Sequence, residues 1–295
     1  MSLFSLLRLI CRQPVNQRRK IGAILDFLLW QIRSRITSKP ISYRWLNGAR
    51  VLVRHGEAGF TFNIYCGLQD FSEMAYLLHV LRKNDLFVDV GANMGSYTLL
   101  ASAVRGARTV CFEPNPTTFA RLSQNLLLNH LGERVTAHLA GVGEKPGFLR
   151  LSLNQDCGNH ILCDNEREEG VEVKVVTLDE ILAGTCPSLL KIDVEGFELS
   201  VLRGAGAILK GPGLHSIILE FWGTGNRENR YGYRESDILE LLREHGFISH
   251  GYDPFTRKLT PREPSYGNAL FIRGRDRIQA LVRASESFQV KNLTL

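Results

Sequence analysis

The chain has 295 residues, 44% of them hydrophobic, and a formal net charge of +6. That much apolar material fills a core without disulfide staples, which excludes a disordered or disulfide-dependent chain and makes the six cysteines reduced thiols. The positive charge sits in the first 50 residues, where ten Lys and Arg face a single acid, Asp26, so the rest is slightly acidic and no nucleic-acid partner is expected.

Ile21, Ile24, Leu25, Leu28, Leu29 and Ile32 recur at helical spacing beside Arg18, Arg19, Lys20, Arg33 and Arg35. Residues 1–45 therefore read as a basic amphipathic helical extension, which either packs on the domain or makes peripheral contact with an anionic membrane surface through residues 1–40. No apolar run reaches the roughly 18–20 residues that cross a bilayer. Leu3 to Ile10 is broken by Arg8 with no small-residue cleavage site behind it, so a cytoplasmic location is expected, with the inner membrane surface as the place of any peripheral contact.

Alternation over Val51 to Tyr65 predicts a small antiparallel sheet, and Ser72 to Leu81 a helix. Strands then follow at 86–90, 108–113, 135–141, 188–193, 215–221 and 247–252, with helices at 96–105, 116–130, 198–209 and 234–245 between them. This rhythm predicts an α/β fold with a doubly wound parallel sheet, occupying residues 46–274. The interval 147–176 interrupts it with two strand-like pieces, Phe148 to Leu153 and Val171 to Val176, around a polar loop, and reads as an inserted substrate lid. Asn268 to Arg273 forms a last strand, and 275–295 a tail that begins with a short polar helix.

The stretch FVDVGANMGSYTLL at 87–100 reads as a buried strand, a glycine turn and a helix N-terminus, an arrangement that presents free backbone amides to a ligand. In open α/β sheets ligands lie at the carboxyl ends of the strands, and four ends carry acids: Asp89, Glu113, Asp193 with Glu195, and Glu220. Glu113 follows Gly91 at about the 20-residue distance at which an acid holds ribose hydroxyls. An adenosine-bearing cofactor follows. Asn93 stands where a dinucleotide fingerprint needs its close-approach glycine, and no P-loop lysine is present. S-adenosylmethionine fits better, its carboxylate on the amides at Gly95 and its ammonium on Asp89.

Taken together, VDVGANMGSYT, FEPNP, VTLDEIL, LLKIDVEGFELSVLRGA and IILEF resemble the FkbM family of S-adenosylmethionine-dependent methyltransferases, from about Phe71 to Gly274. The resemblance implies the seven-stranded class I (Rossmann-like) sheet with its last strand antiparallel, and O-methylation of a sugar, glycolipid or polyketide-type hydroxyl. It places Asp89, Gly91, Asn93 and Gly95 at the methionine end of the cofactor and Glu113 at the ribose. The turn from Gly141 and Val142 to Glu144 falls beside adenine, although AGVGEKPG departs from the usual shorter turn.

Methyl transfer needs a base at the acceptor oxygen, because the methyl group arrives already activated. Asp193 is the first expectation, with Glu195, His160 and Glu220 beside it; Glu195 could instead cap the next helix, and Glu220 could bond the sheet end. Glu198 reads as a solvated first-turn acid and Asp179 as a helix N-cap or first-turn acid. Asp193, Glu195 and Glu220 could gather a hard cation, but metal-free catalysis is expected, and Cys157, His160 and Cys163 lack a fourth zinc ligand. The competing classes are an NAD-dependent oxidoreductase or epimerase, for which no YxxxK pair occurs, and a non-catalytic partner of a glycan-synthesis enzyme.

Overall fold

A computed structural model describes every residue except 1, 154–157, 164–165, 222–227 and 265. Its centre is one large sheet, whose strands are numbered here along the chain: β1 (Leu86–Val90), β2 (Arg108–Phe112), β3 (Val135–His138), β4 (Leu189–Ile192), β5 (Ser216–Phe221), β6 (Ile248–Asp253), β7 (Lys258–Pro261) and β8 (Gly267–Ile272). Their spatial order is β7-β6-β8-β5-β4-β1-β2-β3. The pairs joining β3, β2, β1, β4 and β5 are parallel, and β8 lies antiparallel between β5 and β6. The expected class I arrangement with its last strand antiparallel is therefore present. Strand β7 adds an eighth member at the edge; with Leu259 as its one buried residue, the run KLTP carries little strand pattern of its own.

The central strands are apolar on both faces because helices cover both sides. Val88, Leu190, Ile217 and Phe271 stand side by side across β1, β4, β5 and β8 and enter one core with Leu199, Leu202 and Leu242. One residue further along, Ile218 and Leu270 enter the opposite core with Tyr76, Leu78 and Tyr97. This second row also contains Asp89 and Lys191, which are register partners on β1 and β4, so an acid and a base are buried next to each other in the middle of the sheet.

Outside this sheet, Arg50–Val53 is a strand near the start of the predicted stretch, but its antiparallel partner is Ile41–Arg44, which precedes that stretch, and the pattern does not continue as strand to Tyr65. Residues Ala58–Cys66 are helical: Phe60 and Ile64 fall one turn apart on the buried side, and Gly67, at φ 77°, ends the helix. A third core joins these elements to helices Leu3–Arg12, Lys20–Ile36 and Pro116–Leu128. Strands Gly147–Ser152 and Gly170–Val176 form an antiparallel pair, joined on the latter's other side by Gly141–Val142. After helix Arg275–Arg283, a hairpin of Gln289–Val290 and Leu293–Thr294 packs inward, burying Phe288, Val290 and Leu295 in the core of Tyr76.

Candidate active site

A cavity of about 310 Å³ opens at the carboxyl ends of β1, β2, β4 and β5, the place where such sheets bind ligands. The turn after β1 forms its floor. Gly91 adopts φ 80°, and a Cβ there would collide with the carbonyl oxygen of Asp193. Its amide and that of Ala92 both donate to the Phe112 carbonyl, at 3.0 and 2.9 Å, while Asp193 N–H donates to the Val90 carbonyl at 3.0 Å. The ends of β1, β2 and β4 are thereby locked together, and only glycine permits it.

Glu113 binds this turn to the end of β2. Its Oε2 accepts the amide of Asn93 at 2.9 Å and its Oε1 that of Asn115 at 2.9 Å. Asn93 reaches this position by adopting φ 50°, in the left-handed region. The Glu113 carboxyl is 7% exposed, and burial pushes its pKa up to about 7. Gly141 and Val142 continue the same wall.

Two of the expected cofactor residues stand elsewhere. Asp89 does not line the cavity: its carboxylate is fully buried, with Oδ2 accepting from Thr98 Oγ1 at 2.7 Å and Oδ1 lying 4.0 Å from Lys191 Nζ. The pleat of β1 directs Asp89 sideways, toward the helix that starts at Ser96, rather than out of the strand end. Gly95 is also absent from the lining. It caps that helix at φ 94°, and a Cβ there would come within 2.7 Å of Leu122 Cδ1, so its smallness serves packing.

At the other end of the cavity, Asp193, Glu195 and Glu220 present carboxylate oxygens that all lie within 4.8 Å of one another, close enough to share protons or a cation. Burial, and then Asp193, raises Glu195 to about 7 and Glu220 to about 10. Glu195 sits at φ 56° and is thus a strained member of the turn, not the cap of the following helix. His160, on the loop between the two inserted strands, is 5% exposed and lines the same cavity. Its Nδ1 lies 3.1 Å from the Gly158 carbonyl and so carries the proton there. Its Nε2 is buried without a hydrogen-bond partner among the described residues. Cys157, which together with His160 and Cys163 suggested a metal cluster, lies outside the described residues.

Sequence reasoning missed Lys191, Asp70 and Tyr97. Lys191 Nζ lies 2.9 Å from Asp193 Oδ2, and 4.9 Å from the centre of the Tyr97 ring. Burial opposes its charge, but Asp193 and Asp89 outweigh that and hold it above the ordinary lysine range. A lysine inside the otherwise apolar strand LLKI was the available signal, since such a charge must be paired. Asp70 precedes helix Phe71–Val80 in the N-cap position yet makes no side-chain cap; it lines the cavity and accepts from Tyr97 Oη at 3.0 Å. Burial raises its pKa. Among the described lining residues Lys191 faces five acids; Glu220 keeps its proton at neutral pH, and the other four still outnumber the lysine, so the cavity favours a cationic occupant.

Of two acids outside the cavity, Glu198 and Asp179, one differs from expectation. Glu198 is not solvated: it is 1% exposed, Oε1 accepts the Gly196 amide at 3.0 Å, and Oε2 accepts from Tyr233 Oη at 3.1 Å. It therefore shapes the DVEG turn from beneath. Asp179 is a first-turn acid of helix Leu178–Ile181, as expected, with Thr177 as the cap, and it also accepts the amides of Ala207 and Ile208 and so holds the start of helix Gly206–Lys210.

The Methyltransferase FkbM domain matches residues 89–249, more than half of the chain, and this span carries the glycine turn, Glu113, His160 and the three clustered acids. Hexuronic acid methyltransferase AglP of Haloferax volcanii is 26% identical over 234 residues, covering 77% of this chain and 88% of that protein. The 31-O-demethyl-FK506 methyltransferase FkbM of Streptomyces tacrolimicus is 29% identical over 239 residues, covering 68% and 86%. Methyltransferase sdnD of Sordaria araneosa is 30% identical over 169 residues, covering 45% and 65%. With its sheet order, its glycine turn and a match of this extent, the chain belongs to the FkbM methyltransferase family.

Proposed function

We propose that this protein transfers a methyl group from S-adenosylmethionine to a hydroxyl oxygen of a sugar, glycolipid or polyketide-type acceptor. The observation that carries the reading is Glu113, a buried carboxylate at the cavity wall whose two oxygens are aimed by the amides of Asn93 and Asn115. Each oxygen retains a lone pair for a ribose hydroxyl. When bound, the cofactor supplies a methyl group activated on a sulfonium, and the acidic lining suits that positive charge and its ammonium. Asp70 takes the place first given to Asp89 as the carboxylate for the ammonium, because it lines the cavity and Asp89 does not. The acceptor class is supported by two relatives named for a hexuronic acid and for a demethyl-FK506 substrate.

At the acceptor side, Glu195 takes the hydroxyl proton, since a carboxyl lifted to about 7 is matched to neutral pH. Asp193, the first expectation for the base, is engaged by Lys191 at 2.9 Å. Glu220, holding its proton up to about 10, donates a hydrogen bond, and His160 accepts one at Nε2. Isothermal titration with S-adenosylmethionine and with NAD, followed by mass spectrometry of uronic-acid oligosaccharides and macrolide alcohols after incubation, tests this. Binding of the first cofactor alone and a gain of one methyl group on an oxygen are expected. Tight NAD binding, or methylation at nitrogen or carbon only, would overturn it.

A further inference from the structure

Helix Lys20–Ile36 has two apolar faces, and the fold uses one. Ala23, Phe27, Trp30 and Ser34 are buried against the domain. Ile21, Leu25, Leu28, Leu29, Ile32 and Ile36 are exposed, from 46% at Leu28 to 80% at Ile36. At about 100° per residue the exposed six span an arc of roughly 100°, centred about 180° from the buried four. The two readings left open by the sequence are thus both accommodated, on opposite sides of one helix. Beside it, helix Leu3–Arg12 buries Ile10 and exposes Leu3, Phe4 and Leu9. These two helices hold nine of the sixteen large apolar side chains that stand exposed among the described residues, so the patch is concentrated rather than scattered.

The charges around the patch select its occupant. Arg18, Lys20, Arg33 and Arg35 are exposed, with Lys20 and Arg35 on one side of the apolar arc and Arg33 on the other. Arg8 and Arg12 are exposed on the neighbouring helix. The one acid in this region, Asp26, is tied to Arg19 Nη1 at 2.9 Å and Lys291 Nζ at 3.2 Å, so it offers no counter-charge to a partner. A second copy of this chain would bring two basic rims together, which is repulsive. An apolar strip between rows of cations, without a competing acid, fits the headgroup boundary of an anionic bilayer. Among the described residues no helix is long and apolar enough to cross a membrane, so the contact is peripheral. We propose that the outer face of helix Lys20–Ile36, together with helix Leu3–Arg12, docks the protein on anionic lipid.

The test is flotation of the full chain with vesicles of phosphatidylcholine alone and of phosphatidylcholine mixed with phosphatidylglycerol, at low and high salt. Flotation with the mixed vesicles at low salt, lost at high salt and weak on neutral vesicles, is expected. Lys20→Gln with Arg33→Gln should lower the partition coefficient by about 25-fold, at about fivefold for each charge. Leu25→Ser with Leu29→Ser should lower it at least about tenfold. Both double variants alter exposed side chains, so circular dichroism and melting temperature should match the parent. Failure of the folded parent to float at low salt, or flotation indifferent to both double variants, would overturn the proposal. So would a dimer in size exclusion that dissociates in the Leu25/Leu29 variant while vesicle binding is absent, since the occupant would then be a second copy.

Discussion

Replacing Glu113 by Gln is the sharpest probe of the cofactor site, because it keeps the shape of the side chain while removing its charge and one acceptor. In the native turn both carboxylate oxygens are in use, on Asn93 N–H and Asn115 N–H. A glutamine can accept only one of these; its NH2 group must face the other amide, leaving a buried donor unmatched at a cost of about 1–3 kcal/mol. For a chain of this size that corresponds to a melting temperature lower by about 2–4 °C per kcal/mol, so the protein stays folded. Cofactor binding suffers more. Each hydrogen bond from a ribose hydroxyl to a carboxylate contributes about 1.5–3 kcal/mol, so losing the charge at both should weaken affinity by about 10²–10⁴-fold. Alanine is the poorer variant, since it strands both amides and confounds folding with binding. Titration calorimetry with S-adenosylmethionine, run beside a thermal melt, reads the two effects separately. Affinity within a factor of two of the parent, in a variant that melts a few degrees lower, would show that Glu113 organises the turn but does not touch the ribose.

Glu195→Gln should bind cofactor normally and lose turnover, and with cofactor saturating the parent's kcat should rise with pH toward about 7 as the Glu195 carboxyl loses its proton; a kcat flat with pH, or turnover retained in the variant, would move the base elsewhere. If EDTA abolishes turnover and Mg²⁺ restores it, the three clustered carboxylates hold a cation and Glu195 is not the base; unchanged turnover is expected. Gly91→Ala should cost about 3–5 kcal/mol, combining a left-handed backbone with a Cβ driven into the Asp193 carbonyl, and soluble, normally melting protein would contradict that geometry. Glu198, which burial raises to about 7 from an ordinary 4.5, keeps its proton in the folded chain after the unfolded chain has released it. Stability associated with it is therefore full below about 4.5 and falls as pH rises toward about 7, by about 3 kcal/mol. Melting temperatures across this range should fall less steeply in Glu198→Gln, and parallel curves would refute the assignment.

What the sequence determined by itself is local or periodic. Strands such as Leu86–Val90 and Leu189–Ile192 announce burial on both faces through short apolar runs with one charge each, Asp89 and Lys191, the glycine turn needs conformations that few residues adopt, and Glu113 stands at a set distance along one strand–helix–strand unit. Each of these depends on neighbours within a few tens of residues, which is why they were legible. The tertiary structure alone decided which side chains meet. Asp89 and Lys191 lie far apart in the chain and become partners only through the register of β1 with β4, and of the two only Lys191 lines the cavity, Asp89 being turned aside. Asp70 reaches the cavity because its helix packs over Tyr97, and Gly95 owes its smallness to Leu122 on another helix. The alternation at 51–65 misled for the same reason: Phe60 and Ile64 bury against elements distant in the chain, and that packing overrides a local pattern that would suit a strand. Likewise, periodicity shows that helix Lys20–Ile36 is apolar over much of its circumference, but which arc is left outside is set by where the domain lies against it.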